Sequence, residues 1–253
     1  GDFGLYKWGH PSIEVHGDSA QIDLNRGAFA DAAAQFFRAY EMLNDERYLR
    51  AGIATADFFL AIQQPAGHFP CGATVYRDGR IVAGGGKCSL TVVRMEDGYQ
   101  FRPFALLMYA YKLTGDLKYF GGAKRYADLL VQRIQHPEWG WCPDEFDLTI
   151  AGDASRQRSS HSNYGVRGGG SWSDGATTEG FRASLIMYHA TGHKRYLRRA
   201  AKLGRWVFAT QMGHGAVRGW ADNYNADNNP VPARRFEGLT IDPRNFDRFT
   251  GPL

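Results

Sequence analysis

The chain holds no run of about 18 apolar residues, so no segment reads as a membrane-spanning helix. It has no basic run of about five to eight residues. Lysines and arginines are interspersed with acids, and the net charge is only +4 over 253 residues. That balance does not support a nucleic-acid footprint and leaves an acidic substrate compatible with the chain. Cysteine is scarce. Of the three, Cys71, Cys88 and Cys142, none forms a Cys-x-x-Cys pair, which argues against a structural zinc site. Cys71 and Cys88 flank one loop and can pair, leaving Cys142 free; three buried thiols is the alternative. Disorder is excluded by 43% hydrophobic and 14% aromatic residues. The length suffices for one large domain with a sizeable core, and residues 1–253 are expected to form it.

What is abundant is repetition. Aligning Tyr40, Tyr111 and Tyr188 also aligns Tyr48, Tyr119 and Tyr196, eight residues on, and each block then reaches a Gln: Gln63, Gln135, Gln211. The blocks recur after 71 and 77 residues. That distance suits a helical hairpin plus a long loop, and repeats of this size define an architecture. The first helix of each block is apolar on nearly all sides: Phe36, Phe37, Tyr40 and Leu43; Phe104, Leu106, Leu107, Met108 and Tyr111; Phe181, Leu185, Ile186, Met187 and Tyr188. Such a helix is enclosed. The second carries one stripe: Leu49, Ile53, Ala56 and Leu60; Tyr119, Ala123, Tyr126 and Leu130; Leu197, Ala200, Leu203 and Val207. Inner helices alternating with outer ones make an all-α chain, an (α/α) toroid of at least three hairpins. Inner helices are expected over about 27–43, 98–114 and 175–191. Asn44-Asp45, Gly115-Asp116 and Gly192-His193 are the tight turns. The long returns, 64–96 and 136–173, carry Asp78-Gly79, a hairpin signal, and Trp139, Trp141 and Asp144-Glu-Phe-Asp147. Loops of this length are usually functional or disordered, and the loop face is where a site is expected.

The inner-helix starts align as Arg26-Gly-Ala-Phe-Ala-Asp31, Asp97-Gly-Tyr-Gln-Phe-Arg102 and Asp174-Gly-Ala-Thr-Thr-Glu179. Asp at a helix start is first of all an N-cap. Recurrence of Asp97 and Asp174 at one point of the repeat, with Arg102 and Glu179 one turn later, adds a functional reading. Carboxylates converging from different hairpins can bind Ca²⁺ through hard oxygen ligands or act as acid and base in glycoside hydrolysis. Trp8, Trp141, Trp172 and Trp220 lie in loops or at their edges, where an indole can stack on a sugar ring or pack the loop. Gly219-Trp220 matches Gly140-Trp141 of the preceding block. His161, Tyr164 and Arg167 share a Gly/Ser-rich loop with Trp172, and a Tyr or His there can transfer protons.

Asp174-Gly-Ala-Thr-Thr-Glu179 and Asp97-Gly98 resemble the Asp-rich helix starts of the family 10 polysaccharide lyases, pectate lyases with an (α/α)₃ toroid. Gly219-Trp-Ala-Asp-Asn-Tyr-Asn-Ala-Asp-Asn-Asn-Pro230, followed by Ala233-Arg-Arg-Phe-Glu237, is similar to that family's Trp…Pro…Ala-Arg-x-Tyr/Phe-Glu stretch. The resemblance covers roughly residues 90–240. It implies Ca²⁺-assisted β-elimination of an acidic, uronate-containing polysaccharide or oligosaccharide, in a secreted or periplasmic setting, with no nucleic-acid or membrane partner. Asp97 and Asp174 would hold the metal. Asp97, Asp174, Glu179 and Arg102 would form the catalytic group. Arg102, Arg167, Arg234 and Arg235 offer bidentate uronate contacts, with Tyr164, Trp141, Trp172, Trp220 and Asp222 completing the substrate surface. The family's Gly-Gly-Trp-Pro is Gly67-His68-Phe69-Pro70 here, and the family's arginine base has no close match, Arg244 and Arg248 being the candidates. A glycoside hydrolase using Asp97, Asp174 or Glu179, and a non-catalytic glycan-binding toroid, are the alternatives.

Overall fold

The structure, a computed structural model, describes residues 13–24, 28–85, 89–157, 169–172, 175–214, 217–221 and 223–231. They belong to two compact units, 1–130 and 131–253.

The first unit opens with β1 (Ile13–His16) and β2 (Ser19–Asp23), then α1 (Ala28–Leu43) and α2 (Glu46–Ile62), β3 (Gly72–Tyr76), β4 (Ile81–Ala83), β5 (Val92–Arg94), α3 (Phe101–Thr114) and α4 (Leu117–Leu129). The expectation of an all-α chain is corrected here. β1 to β4 form an antiparallel sheet in sequence order, with Ser19 opposite Tyr76 and Asp23 opposite Gly72. β-branched residues Ile13, Val15, Ile22, Thr74, Val75, Ile81 and Val82 supply its strands. Asp78-Gly79 is indeed a hairpin turn, with Gly79 at φ 85° and Asp78 Oδ1 accepting from the Arg80 N–H at 2.9 Å.

The helices fall where the repeat places them. α1 and α3 begin within three residues of the expected 27 and 98 and end at 43 and 114 as expected. Between hairpin helices the chain turns through a left-handed residue, Asn44 at φ 52° and Gly115 at φ 70°. Asp45 and Asp116 then cap α2 and α4, each accepting a backbone N–H at 2.9 Å two residues on. α1 packs against α2 and α3, and α2 also touches α3 and α4. Close approach of α1 and α2 depends on Gly52, where a Cβ would stand 2.3 Å from the Phe37 ring. α3 is buried on several sides through Phe101, Phe104, Leu106, Leu107 and Ala110. α1 differs: only Ala30, Ala33 and Phe37 are buried, while Phe36 and Leu43 are exposed. Along α4 and into the turn that follows it, the stripe Tyr119, Ala123, Tyr126 and Leu130 is buried as the period requires.

The second unit contains a π turn (130–134, its first residue lying at the edge of the first unit), β6 (Glu145–Asp147), a 3₁₀ turn (Ala154–Arg156), α5 (Ala176–Thr191), α6 (Lys194–Ala209), and short antiparallel pairs β7 (Met212–His214) with β8 (Val217–Gly219) and β9 (Asn223–Tyr224) with β10 (Pro230–Val231). Gly192, at φ 68°, repeats the hairpin turn. Its core joins Trp141, Ala154, Leu203, Trp206 and Tyr224. The buried stripe of α6 is Tyr196, Ala200, Leu203 and Trp206, one position off the expected Leu197 and Val207, because the two bulkier rings turn inward.

Candidate functional site

The two helix starts carry the same local construction. Gly98 and Gly175 are left-handed, at φ 79° and 90°. In each case the long side chain four residues later folds back over the glycine. A Cβ on Gly98 would meet Arg102 Nε at 2.4 Å, and one on Gly175 would meet Glu179 Oε1 at 3.3 Å. Asp97, before the first of these glycines, is not the N-cap residue of α3. α3 has Gln100 at its N-cap and α5 has Gly175, and neither makes a side-chain cap bond. Asp97 sits four residues ahead of α3 at φ 55°, a conformation that costs a non-glycine residue about 1–3 kcal/mol. The N-cap reading is therefore set aside for Asp97. Asp174 lies outside the described residues, as do Tyr164, Arg167, Asp222, Arg234 and Arg235, along with Trp8, His161, Arg244 and Arg248.

Arg102 is tied to Asp31, Nη1 to Oδ2 at 2.8 Å. These are equivalent positions of the first two blocks, brought together because α1 and α3 are neighbours. The pair is half exposed, worth no more than about 1 kcal/mol, so an incoming carboxylate can compete for the guanidinium. Among the described residues no three His, Cys, Asp or Glu side chains gather to hold a metal ion.

A second repeated feature escaped the sequence reading. Gln100, one residue before α3, binds both backbone groups of Phe69: it accepts from the N–H and donates to the C=O, each at 2.9 Å. Thr177 in α5 does the same for Cys142, both at 3.1 Å. All four residues are buried. Gln100 and Thr177 stand in the same register as Asp97 and Asp174, and the clamped residues lie two past Gly67 and Gly140. Both glycines are left-handed, with φ 108° and 78°, and press against helix backbone, a Cβ coming within 2.6 Å of the Arg125 carbonyl oxygen and 2.7 Å of that of Arg199. Each return loop is thereby pinned to its hairpin. The shared Gly-x-x-Pro of Gly67–Pro70 and Gly140–Pro143 was the available signal.

The matched Gly-Trp dipeptides part company. Trp141 is fully buried and stacks on His136, ring centroids 4.5 Å apart and planes at 28°. The structure assigns it to the core, with no ring face for a sugar. His136 accepts the Trp139 N–H on Nδ1 at 3.1 Å, and burial lowers its pKa. Trp220 remains 44% exposed. Its Nε1 donates to the Val207 carbonyl at 2.8 Å, fixing the indole to the end of α6. With Trp172, Val207 and Ala221 it lines a cavity of 440 Å³, inside the range of about 300–1,000 Å³ typical of small-ligand sites. The opposite wall is equally well braced. Trp172 stacks on Trp206 at 5.3 Å, and Trp206 meets Tyr224 edge-on at 5.1 Å. Trp206 Nε1 donates to Asn228 Oδ1 at 2.7 Å. Tyr224 accepts the Ala221 N–H and donates to the Thr210 carbonyl; burial raises its pKa, so the donor stays protonated. Two preset indoles around an apolar cavity suit the C–H faces of a saccharide ring.

No family model and no curated protein matches the chain in sequence. Solved structures do match in fold. The cellobiose 2-epimerase of Spirochaeta thermophila superposes with a TM-score of 0.59 at 14% identity, over 88% of this chain and 50% of that one. That of Bacillus thermoamylovorans gives 0.58 at 14% identity, over 82% and 46%. A family 10 polysaccharide lyase from Cellvibrio cellulosa gives 0.48 at 16% identity, over 78% and 56%. At such identities the epimerase likeness is one of fold, that of the (α/α) toroids, and the lyase superposition is too loose to add to it. The chain spans about half the length of the epimerases it matches.

Proposed function

We propose that this chain is a carbohydrate-active enzyme that grips its substrate between Trp172 and Trp220. The observation that carries the reading is the 440 Å³ cavity walled by those two indoles, in a chain with the fold of sugar-processing epimerases. The finer reading is cleavage of an acidic, uronate-containing polysaccharide by β-elimination. A base removes the C5 proton, α to the C6 carboxylate. The electron pair forms the C4–C5 double bond, the C4–O bond breaks, and the departing oxygen takes up a proton. Neutralising the carboxylate makes the C5 proton acidic, and a cation does this. Arg102 is one such cation, held by Asp31; Asp97, Asp174 and Glu179 complete the proposed catalytic group, and Ca²⁺ on Asp97 and Asp174 belongs to the same proposal. A polymer substrate and the disulfide at Cys71 both favour a secreted or periplasmic setting.

The epimerase likeness favours a second reading, inversion beside a sugar carbonyl. It too begins by removing a proton α to a carbonyl carbon. One experiment separates the readings: incubate the protein with polygalacturonate and with cello-oligosaccharides, following ultraviolet absorbance of the unsaturated uronate, reducing ends, and configuration at C2. Elimination raises the absorbance. Reducing ends without absorbance mean hydrolysis, and C2 inversion means epimerisation. The grip is tested by Trp220→Ala, which should weaken oligosaccharide binding about tenfold, as loss of a stacked ring implies, with Trp220→Phe recovering part. Unchanged affinity in Trp220→Ala would remove the cavity from the reading.

A further inference from the structure

Helix α6 carries six basic residues, Lys194, Arg195, Arg198, Arg199, Lys202 and Arg205, and no acid. The equivalent helices of the other blocks mix signs: α2 has Glu46 and Asp57 among its arginines, and α4 pairs Lys124 with Asp128 at 2.7 Å. Three of the α6 cations are used internally. Arg199 donates to the carbonyls of Val131 and His136 at 2.9 and 3.1 Å, Lys202 to that of Pro137, and Arg195 lies over the Tyr196 ring. The others, Lys194, Arg198 and Arg205, are exposed and form no ion pair among the described residues.

At about 100° per residue these three project within roughly 40° of one another. Beside them, in a stripe roughly 60° wide, run Leu197, Ala201, Gly204 and Phe208. Leu197 is 37% and Phe208 79% exposed, and a Cβ on Gly204 would meet nothing within 4 Å. A cationic stripe therefore lies along an apolar one that is shallow in its middle.

We propose that this outer face of α6 is a second binding surface, for an extended acidic polysaccharide. The proposal rests on the acidic-glycan reading above. The cations sit about 6 and 10.5 Å apart along the axis, as a row of anionic groups on a linear polymer requires, and arginine binds carboxylates bidentately. The trough at Ala201 and Gly204 admits sugar rings, with Phe208 as the stacking end. A bilayer is the poorer fit, because an interfacial helix buries a broad apolar face and here two large apolar side chains are offered.

The test is electrophoresis in native gels containing polygalacturonate or a neutral mannan, comparing the wild-type chain, R198E/R205E and Trp220→Ala, with thermal melting to show each variant folded. The wild type should be retarded by polygalacturonate alone, less so in high salt. R198E/R205E should lose about tenfold in affinity, two exposed charge contacts becoming repulsions. Trp220→Ala should keep the retardation. The proposal is overturned if the wild type is not retarded, if the charge reversal leaves retardation unchanged, or if the reversal abolishes binding only to vesicles of anionic phospholipid. Retardation lost in R198E/R205E while no sugar product forms would sink the enzyme reading and leave this surface standing. Product formation without retardation would do the opposite.

Discussion

Thr177→Val removes one hydroxyl and keeps the side chain's shape, so it isolates the clamp on the second return loop. In the folded chain that hydroxyl accepts the Cys142 N–H and donates to the Cys142 carbonyl, both at 3.1 Å, at a fully buried site. The two halves of the clamp are not equivalent. The Cys142 carbonyl also accepts the Ser171 N–H at 3.1 Å, so it keeps a partner in the variant. Among the described residues the N–H has no second acceptor, and leaving it buried and unpaired costs about 1–3 kcal/mol. Adding a lost second bond to the carbonyl keeps the total near the upper half of that range. For a chain of this size each kcal/mol shifts the melting temperature by about 2–4 °C, so thermal unfolding should move down by roughly 4–12 °C. Thr177→Ser retains the hydroxyl and removes a methyl group, and should cost about 1 kcal/mol. Differential scanning calorimetry of the three proteins decides it. If Thr177→Val melts with or above Thr177→Ser, the hydroxyl is not holding the loop, and the matching reading of Gln100 and Phe69 falls with it.

Gly140→Ala should be far more damaging than Gly115→Ala. Both glycines are left-handed, but a Cβ at 140 meets helix backbone at 2.7 Å whereas one at 115 meets nothing. The first should lose several kcal/mol and the second only the strain of about 1–2 kcal/mol, read from urea midpoints. Burial lowers the pKa of His68, whose Nε2 donates to the Leu90 carbonyl. A folded pKa below the unfolded one means stability is complete above about pH 6.5 and is lost as pH falls through it, because the unfolded chain binds the proton more tightly. His68→Gln, which can still donate, should flatten the melting temperature between about pH 7 and 5; an unchanged acid slope would mean that His68 is not the group titrating. Gly52→Ala, forcing Phe37 to move, should lower stability by about 1–3 kcal/mol despite alanine's better helix propensity, measured by the same urea titration.

Local chemistry decided much in advance. The hairpin helices, their left-handed turns at Asn44, Gly115 and Gly192, the Asp78-Gly79 turn and the paired Asp-Gly helix starts all follow from periodicity and from glycine's freedom at positive φ. These are properties of a few neighbouring residues and survive any packing. The strands of the first unit were harder to see, since short β-branched runs in long returns carry no period strong enough to separate strand from loop. The enclosure of α1 was also misjudged: apolar residues on all sides describe what a helix can bury, and its neighbours decide what it does bury. Asp97 looked like a cap because caps and turn residues share one composition. Gly140-Trp141 and Gly219-Trp220 make the limit plainest. The same dipeptide recurs at the same point of the repeat, yet Trp141 is sealed against His136 and Trp220 stands open over a cavity. Side-chain identity sets how much free energy an indole can gain by leaving water. Whether there is a neighbour to cover it is a fact of three dimensions, and only the folded chain could decide it.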